Sequence, residues 1–341
     1  MPDDPTWTRE VRLLDSRGVG YLRLQARVLR ALPRIDVIIV NGAIGLRSGY
    51  RDLVAAVLVR RLRPSTWIVV SDATWETGSR ALARLGLPAG LVAGVARVAL
   101  RALDGPRVVY CVLSQAEVTG FARTWGVDVS RVRFTPFCHT LSEQELSTPP
   151  VPELAARVFS GGNSLRDHQT VLAALRELEV DGFLATSAAL GPLPARVRAG
   201  AVDHDQFVQR MASAHVVVVS LRDDTPRSAG QQTYLNALAL GRPLVVSDAK
   251  GVRDHVEAGR HALVVPVGDT GALAAAVRSL LDDPDHARRL AHAGREHVLR
   301  RHTLLQYSTG LRDVALDAAT GRAPRGAVRS GAGDDDGHGS P

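Results

Sequence analysis

The sequence predicts an α/β protein made of two doubly wound parallel-sheet domains that face each other across a cleft. Three observations lead there. Short Val- and Ile-rich runs recur between longer stretches of helical period. Those runs are continuously apolar rather than alternating. One polar, proline-bearing segment, residues 141–154 (LSEQELSTPPVPEL), divides them into two sets. Continuous apolar strands are covered on both faces, and strands alternating with helices imply right-handed βαβ units.

Taken in order, the opening stretch offers one weak strand, VRLLDS at 11–16, and then a helix. Strands follow at 35–40 (IDVIIV), 67–72 (WIVVSD), 107–114 (RVVYCVLS) and 131–137 (RVRFTPF). After the linker they recur at 156–162, 182–187, 215–221, 242–248 and 262–267. A helix over 271–298 closes the pattern, with Asp269 and Thr270 suited to its N-cap. The expected division is an N-terminal domain over 1–140, a linker over 141–154, a C-terminal domain over 155–317, and a Gly-, Asp- and Ser-rich tail over 318–341 with nothing to bury.

Composition narrows the function. With 45% hydrophobic and 23% charged residues in 341, the chain is globular, with room for two cores. Two cysteines, Cys111 and Cys138, make no disulfide framework, which points to a reducing cytoplasm. The acidic start, MPDDPTWTRE, does not read as a signal peptide, and no apolar run reaches the roughly 18 residues of a membrane span. The net charge of +7 comes from arginine, Lys250 being the sole lysine. The arginines are scattered and aromatics are 4%, so nucleic acid is not the expected partner. Residues 51–63 and 80–103 join apolar stretches to arginines at helical spacing. They are candidates either for covering helices of the first sheet or for peripheral contact with an anionic membrane.

In open parallel sheets ligands bind beyond the carboxyl ends of strands, which marks Asn41-Gly42, Ser71-Asp72, Ser114-Gln115, Gly161-Gly162-Asn163, Ser220 to Asp224 and Ser247-Asp248. The most informative stretch is 216–248, VVVVSLRDDTPRSAGQQTYLNALALGRPLVVSD. It reads as a buried strand, a polar loop, a helix entered through Ser228-Ala229-Gly230, a Gly241 turn and another buried strand. A helix start that admits close approach at Gly230 is an anion site suited to a diphosphate.

This segment, with NALALGRPLVVSDAKGVRDHVEAGRHALVVPVGDTGALAAAVRSLLDDP after it, resembles the hallmark of the group 1 GT-B glycosyltransferases. RVFSGGNSLRDHQTVLAAL (157–175) is similar to the opening strand, glycine loop and basic residue of the same domain, and 114–137 to the end of their N-terminal domain. The family's two hallmark glutamates fall on Ser228 and Asn236, so both carboxylates are absent. The resemblance implies a GT-B fold and a nucleotide-diphosphate sugar donor, held by Gly161, Gly162, Asn163, Arg166, Ser228, Ala229, Gly230, Gln231, Gln232, Thr233 and Asn236. It implies an acceptor, lipid-linked or soluble, on the side of Asn41, Gly42, Asp72, Trp75 and Glu76. Arg166 would stabilise the departing diphosphate and Asp72 would orient an acceptor hydroxyl. Asp72 also reads as a helix cap, and core packing is the commoner fate of a tryptophan such as Trp75.

Asp203-His204-Asp205 has the form of a metal motif but precedes a helix, where an N-cap is the simpler role. No metal and no cofactor is expected. No G-x-G-x-x-G, Walker, H-E-x-x-H or nucleophile-elbow motif occurs. The expected activity is sugar transfer with retention. The alternative is a GT-B-shaped binding or regulatory protein without catalysis, motivated by the missing carboxylates.

Overall fold

The computed structural model describes residues 21–31, 33, 35–42, 51–73, 75, 98, 100–224 and 227–320. The first half runs α1 (Tyr21–Ala31), β1 (Val37–Asn41), α2 (Arg51–Leu62), β2 (Trp67–Ser71), β3 (Val108–Val112), α3 (Glu117–Trp125) and β4 (Val132–Phe134). Its four strands lie in the order β1-β2-β3-β4, every pair parallel. Successive side chains alternate between the faces. Ile68, Val70, Tyr110 and Val112 pack with Val59, Phe121 and Trp125 on one side, while Val69, Val109 and Cys111 point to the other. The weak strand expected at 11–16 and most of the 80–103 stretch lie outside the described residues.

The crossover is more structured than its composition suggests. It holds the short helix α4 (Glu143–Leu146), started by a capping box in which Ser142 and Glu145 satisfy each other's backbone N–H groups. A 3-10 turn follows at Pro152–Leu154.

The second half runs β5 (Val158–Gly161), α5 (His168–Leu178), β6 (Gly182–Ala185), β7 (Val197–Gly200), α6 (His204–Ser213), β8 (Val216–Val219), α7 (Gln231–Ala239), β9 (Leu244–Ser247) and β10 (Leu263–Val265), then α8 (Thr270–Asp282), α9 (Pro284–Arg301) and α10 (Leu304–Thr320). The six strands lie in the order β10-β9-β8-β5-β6-β7, all parallel. Separate apolar clusters cover the two faces, one around Leu235, Leu238 and Met211 and one around Leu172, Val277 and Leu290. Strand order reverses between β5 and β8, which makes their carboxyl ends the expected ligand crevice.

Three sequence expectations change. The strand β7 adds to the pattern read from sequence, because VRAG at the sheet edge carries an arginine and buries only Val197 of its four residues. The single helix over 271–298 is two: Asp283 caps α9 by accepting from His286 N–H, and Pro284 stands in its first turn, where a missing N–H costs nothing. The C-terminal domain expected to run to 317 also loses its last helix to the other half. Through Leu311 and Ala315, α10 covers the face of the N-terminal sheet formed by Val69, Val109 and Cys111. A parallel sheet needs both faces covered, and α10 supplies the second.

A chain of histidines fastens the crossover to the C-terminal half. His255 Nε2 accepts Phe137 N–H at 3.2 Å, so Nδ1 carries the proton and donates to Gly251 O at 2.8 Å. His302 Nδ1 lies 2.8 Å from Phe137 O, and His302 O accepts His139 N–H at 2.9 Å. His297 bridges the group, stacked on His261 at 4.0 Å and 5.1 Å from His302. Burial, and each ring's neighbours in the chain, hold His255, His261 and His302 down to a pKa of about 4.

Candidate functional site

A cavity of about 470 Å³ opens at the switch point between the two sheets. That lies within the ordinary size of a small-ligand site, roughly 300–1,000 Å³. Its C-terminal wall is built by the loop after β5 and the start of α7; Asp72, Leu113 and Phe137 reach it from the facing side.

The loop after β5 is shaped to hold an arginine. Gly162 has φ +108°, and a Cβ there would stand 2.7 Å from Arg166 Nη2, so only glycine lets the side chain fold back across the loop. Leu165 follows at φ +51°, a strained value for a branched residue. Leu165 O accepts Arg222 N–H at 3.0 Å and Asp167 N–H donates to Ser220 O at 3.1 Å, which pins the strained loop to the end of β8. Arg166 then donates from Nε to Gly161 O at 2.9 Å, from Nη1 to Ser164 O at 2.7 Å and from Nη2 to Thr233 Oγ1 at 2.8 Å. All three acceptors are neutral, and no ion pair to Arg166 occurs among the described residues. Burial, and Arg227 close by, lower its pKa to about 10, so it stays cationic at neutral pH. Arg227 borders the same cavity and donates to Ser164 Oγ at 2.5 Å.

Helix α7 points its positive end at these arginines. Its N-cap, Gly230, sits at φ +89° and gives no side-chain cap. Ala229, Gly230, Gln231, Gln232 and Thr233 all border the cavity. An uncapped helix start beside two guanidinium groups has the chemistry of a site for a doubly charged anion.

Several expected ligand contacts are taken up within the protein. Gly161 lies beneath the cavity, against the Phe207 ring, and serves Arg166 through its carbonyl. Asn163 borders the cavity, but its Oδ1 accepts from Thr186 Oγ1 at 2.7 Å and from Ser187 N–H at 2.9 Å. Ser228 does not cap α7; its Oγ accepts from Gln231 Nε2. Asn236 touches the crossover: Oδ1 accepts Thr140 N–H at 2.9 Å and Nδ2 donates to Thr140 Oγ1 at 3.1 Å. Asp203 is the N-cap of α6, accepting Gln206 N–H at 2.8 Å, rather than half of a metal motif.

On the facing side Asp72 borders the cavity at φ +52°, directly after β2. Asn41 ends β1 and Gly42 packs under Ser71 O, both away from the cavity lining. Trp75 is not a platform for a sugar. It is 8% exposed, its indole N–H donates to Gly42 O at 2.6 Å, and Tyr110, Phe121 and Trp125 surround it with centroids 5.7 to 5.9 Å away. Four aromatic rings close enough to pack edge to face outweigh an exposed stacking role. Glu76 lies outside the described residues. Three residues that the sequence did not single out matter here: Arg227, Thr140 and Glu117. Arg227 stood inside the hallmark segment, so its place in the motif was the available signal; the other two act across the domain boundary, where sequence spacing is silent.

A parallel-sheet pair with this cleft defines a GT-B protein, and the comparisons with known proteins agree. Residues 166–309 match the family of glycosyl transferase-like domains. Glycogen synthase of Mycobacterium tuberculosis is 38% identical over 87 residues, which is 26% of this chain and 21% of that one. The chain therefore spans about a fifth of the length of that curated relative. Anabaena HepE, solved in complex with UDP-glucose, superposes with a TM-score of 0.60 at 17% identity, covering 87% of this chain and 82% of that chain. Sucrose-phosphate synthase of Thermosynechococcus elongatus gives 0.56 at 17% identity, over 89% and 79%. The fold is GT-B, and residues 166–309 are similar to the glycosyl transferase-like family, in line with the group 1 resemblance in the sequence.

Proposed function

We propose that the cleft binds a nucleotide-diphosphate sugar and transfers its sugar, with retention, to an acceptor presented by the N-terminal half. The observation that carries this reading is Arg166, a partly buried cation held only by neutral acceptors and aimed with the uncapped start of α7 into one cavity. The likeness to HepE, which was solved with UDP-glucose, supports a donor of that chemical class. As the bond from sugar to diphosphate breaks, negative charge grows on the leaving oxygen. Arg166, Arg227 and the amides of 229–233 stand ready to stabilise it without a resident metal. Asp72, reaching in from the other sheet, orients the acceptor hydroxyl, and closure about the crossover brings the two together.

A thermal-shift panel of UDP-, GDP-, ADP- and dTDP-sugars tests donor binding, because a ligand that binds only the native state raises the midpoint. One family of nucleotides should raise it; a flat panel refutes the donor reading. A second reading, a GT-B protein that binds the donor without catalysis, is favoured by the internal engagement of Ser228 and Asn236 at both hallmark positions. Donor binding with neither hydrolysis nor transfer, across lipid and soluble acceptors, would decide for it.

A further inference from the structure

Residue 228, where the group 1 hallmark carboxylate is missing, is met at its backbone by a carboxylate of the opposite domain. Glu117 opens α3 of the N-terminal half and is 3% exposed. Its Oε2 accepts Leu113 N–H at 3.1 Å, just beyond the end of β3. Its Oε1 accepts the N–H of Ser228, in the loop that leads into α7. One carboxylate is thus shared by the backbones of two domains, one oxygen each. Ser228 is itself 2% exposed, and its hydroxyl takes the Gln231 amide. Arg227, Ala229, Gly230 and Gln231, the neighbours of Ser228, all border the cavity, whereas Glu117 does not.

We propose that Glu117 is a positioning residue for donor binding: by fixing the Ser228 amide from the facing domain, it sets the backbone of 227–231 that meets the diphosphate. A buried carboxylate loses hydration and is costly to keep ionised. Burial does push Glu117 above the usual carboxylate range, and the Ser228 and Leu113 amides with the Arg227 charge act against that. Maintaining such a group between two domains is more than packing requires, since an apolar pair would fill the same space. The arrangement also ties the anion site to domain engagement, because the acceptor of the Ser228 N–H comes from the facing half. Further contacts in the same seam, Gln115 N–H to Asp254 Oδ2 at 2.9 Å and Gly251 packed on Ser114 and Ser228, keep the two loops in register.

This inference rests on the donor reading above, and the test separates the two. Glu117→Gln preserves size, but its amide has one acceptor oxygen, so either Leu113 or Ser228 N–H must face an NH₂ group. Affinity of wild type and variant for UDP and for uridine, or for the diphosphate and nucleoside found in the donor panel, is measured by calorimetry beside the melting midpoint. The expected result is a roughly 10- to 100-fold loss for the diphosphate, the value of a hydrogen bond to a charged group. The nucleoside should change less than about twofold, within the scatter of an uninvolved surface change. Equal losses for both ligands, or none, overturn the positioning role while leaving the donor reading intact. Failure of wild type to bind any nucleoside diphosphate overturns both. Should the variant not fold, hydrogen exchange on the wild-type protein reads the same contact: the Ser228 amide must be protected without ligand, and fast exchange there refutes the proposal.

Discussion

Replacing Arg166 with alanine is the sharpest test of the cleft, because its hydrogen bonds can be counted. A guanidinium has five N–H donors. Three are committed to Gly161 O, Ser164 O and Thr233 Oγ1, so one N–H on Nη1 and one on Nη2 stay available to a ligand. Two charge-assisted bonds to diphosphate oxygens, at about 1.5–3 kcal/mol each, set an upper range of about 3–6 kcal/mol. Arg227 borders the same cavity and takes up part of the lost attraction, so we expect a net loss of about 2–3 kcal/mol, roughly 30- to 150-fold in affinity. Arg166→Lys keeps the charge but has three donors on one nitrogen and no fork, so it should fall between alanine and wild type. The folded state also loses two loop carbonyl partners, which costs about 1–3 kcal/mol and lowers the melting midpoint. Calorimetric titration with a nucleoside, its monophosphate and its diphosphate isolates the phosphate contribution. The expected losses rise along that series and are close to zero for the nucleoside. A uniform loss across the three would refute the assignment, since it would place Arg166 in the loop's architecture rather than on the phosphates.

Three further outcomes are expected. Asn236→Glu restores the family's residue; Thr140 can turn its hydroxyl to donate to the new carboxylate, so the protein should stay folded and bind donor at least as tightly, as melting and titration would show. Unfolding would show a site that tolerates only a neutral side chain. Acid should destabilise the protein through its histidine chain: the unfolded rings bind protons near pH 6.5, the folded ones near 4. Stability is therefore full above about pH 6.5 and falls as pH drops toward 4. The lowering of His255 to about 4 alone corresponds to about 3 kcal/mol, and His255→Asn should flatten the acid limb of a melting-versus-pH curve. Co-sedimentation with vesicles tests a lipid-side acceptor: Arg61 and Arg101, from the two stretches that join arginines to apolar runs, are exposed, so binding should need anionic lipid and fade with salt, and no binding at low salt refutes it.

How far the sequence discloses this molecule depends on whether a signal is local. Nine of the described strands are legible because each is a short, largely apolar run, at its clearest the wholly buried Val216–Val219. The edge strand Val197–Gly200 was not, because a strand with one covered side and an arginine has no apolar run to recognise. Arg166 and the start of α7 were legible because a glycine loop and a small-residue helix entry leave a fixed spacing. Trp75 misled, since its position after a strand matches both a sugar platform and an aromatic core, and only the rings of Phe121 and Trp125 distinguish them. Glu117 and Thr140 could not be found by spacing, as their partners Ser228 and Asn236 lie 111 and 96 residues away.

Those two long-range contacts bear on how a chain without hallmark glutamates would still work. Both altered positions, 228 and 236, border the cavity and are also bonded outside the C-terminal half: Ser228 by its amide to Glu117 of the N-terminal half, Asn236 by its side chain to Thr140 of the crossover. In place of two carboxylates, this protein has at these positions one contact to the other domain and one to the crossover. The cavity keeps its cations, Arg166 and Arg227, with no acid of the hallmark helix α7 set against them. The site is accordingly more positive than one with glutamates at both places, and its shape depends more on domain engagement. If the cleft takes the proposed donor, such a site should favour the diphosphate strongly and hold the ribose less firmly. A donor series varied at the ribose should therefore show weak discrimination, whereas shortening the diphosphate should be punished heavily. Strong discrimination between ribose and 2′-deoxyribose would refute this account, because Asn236, with one Nδ2 N–H and its Oδ1 engaged by Thr140, offers a diol at most a weak neutral contact in place of a carboxylate.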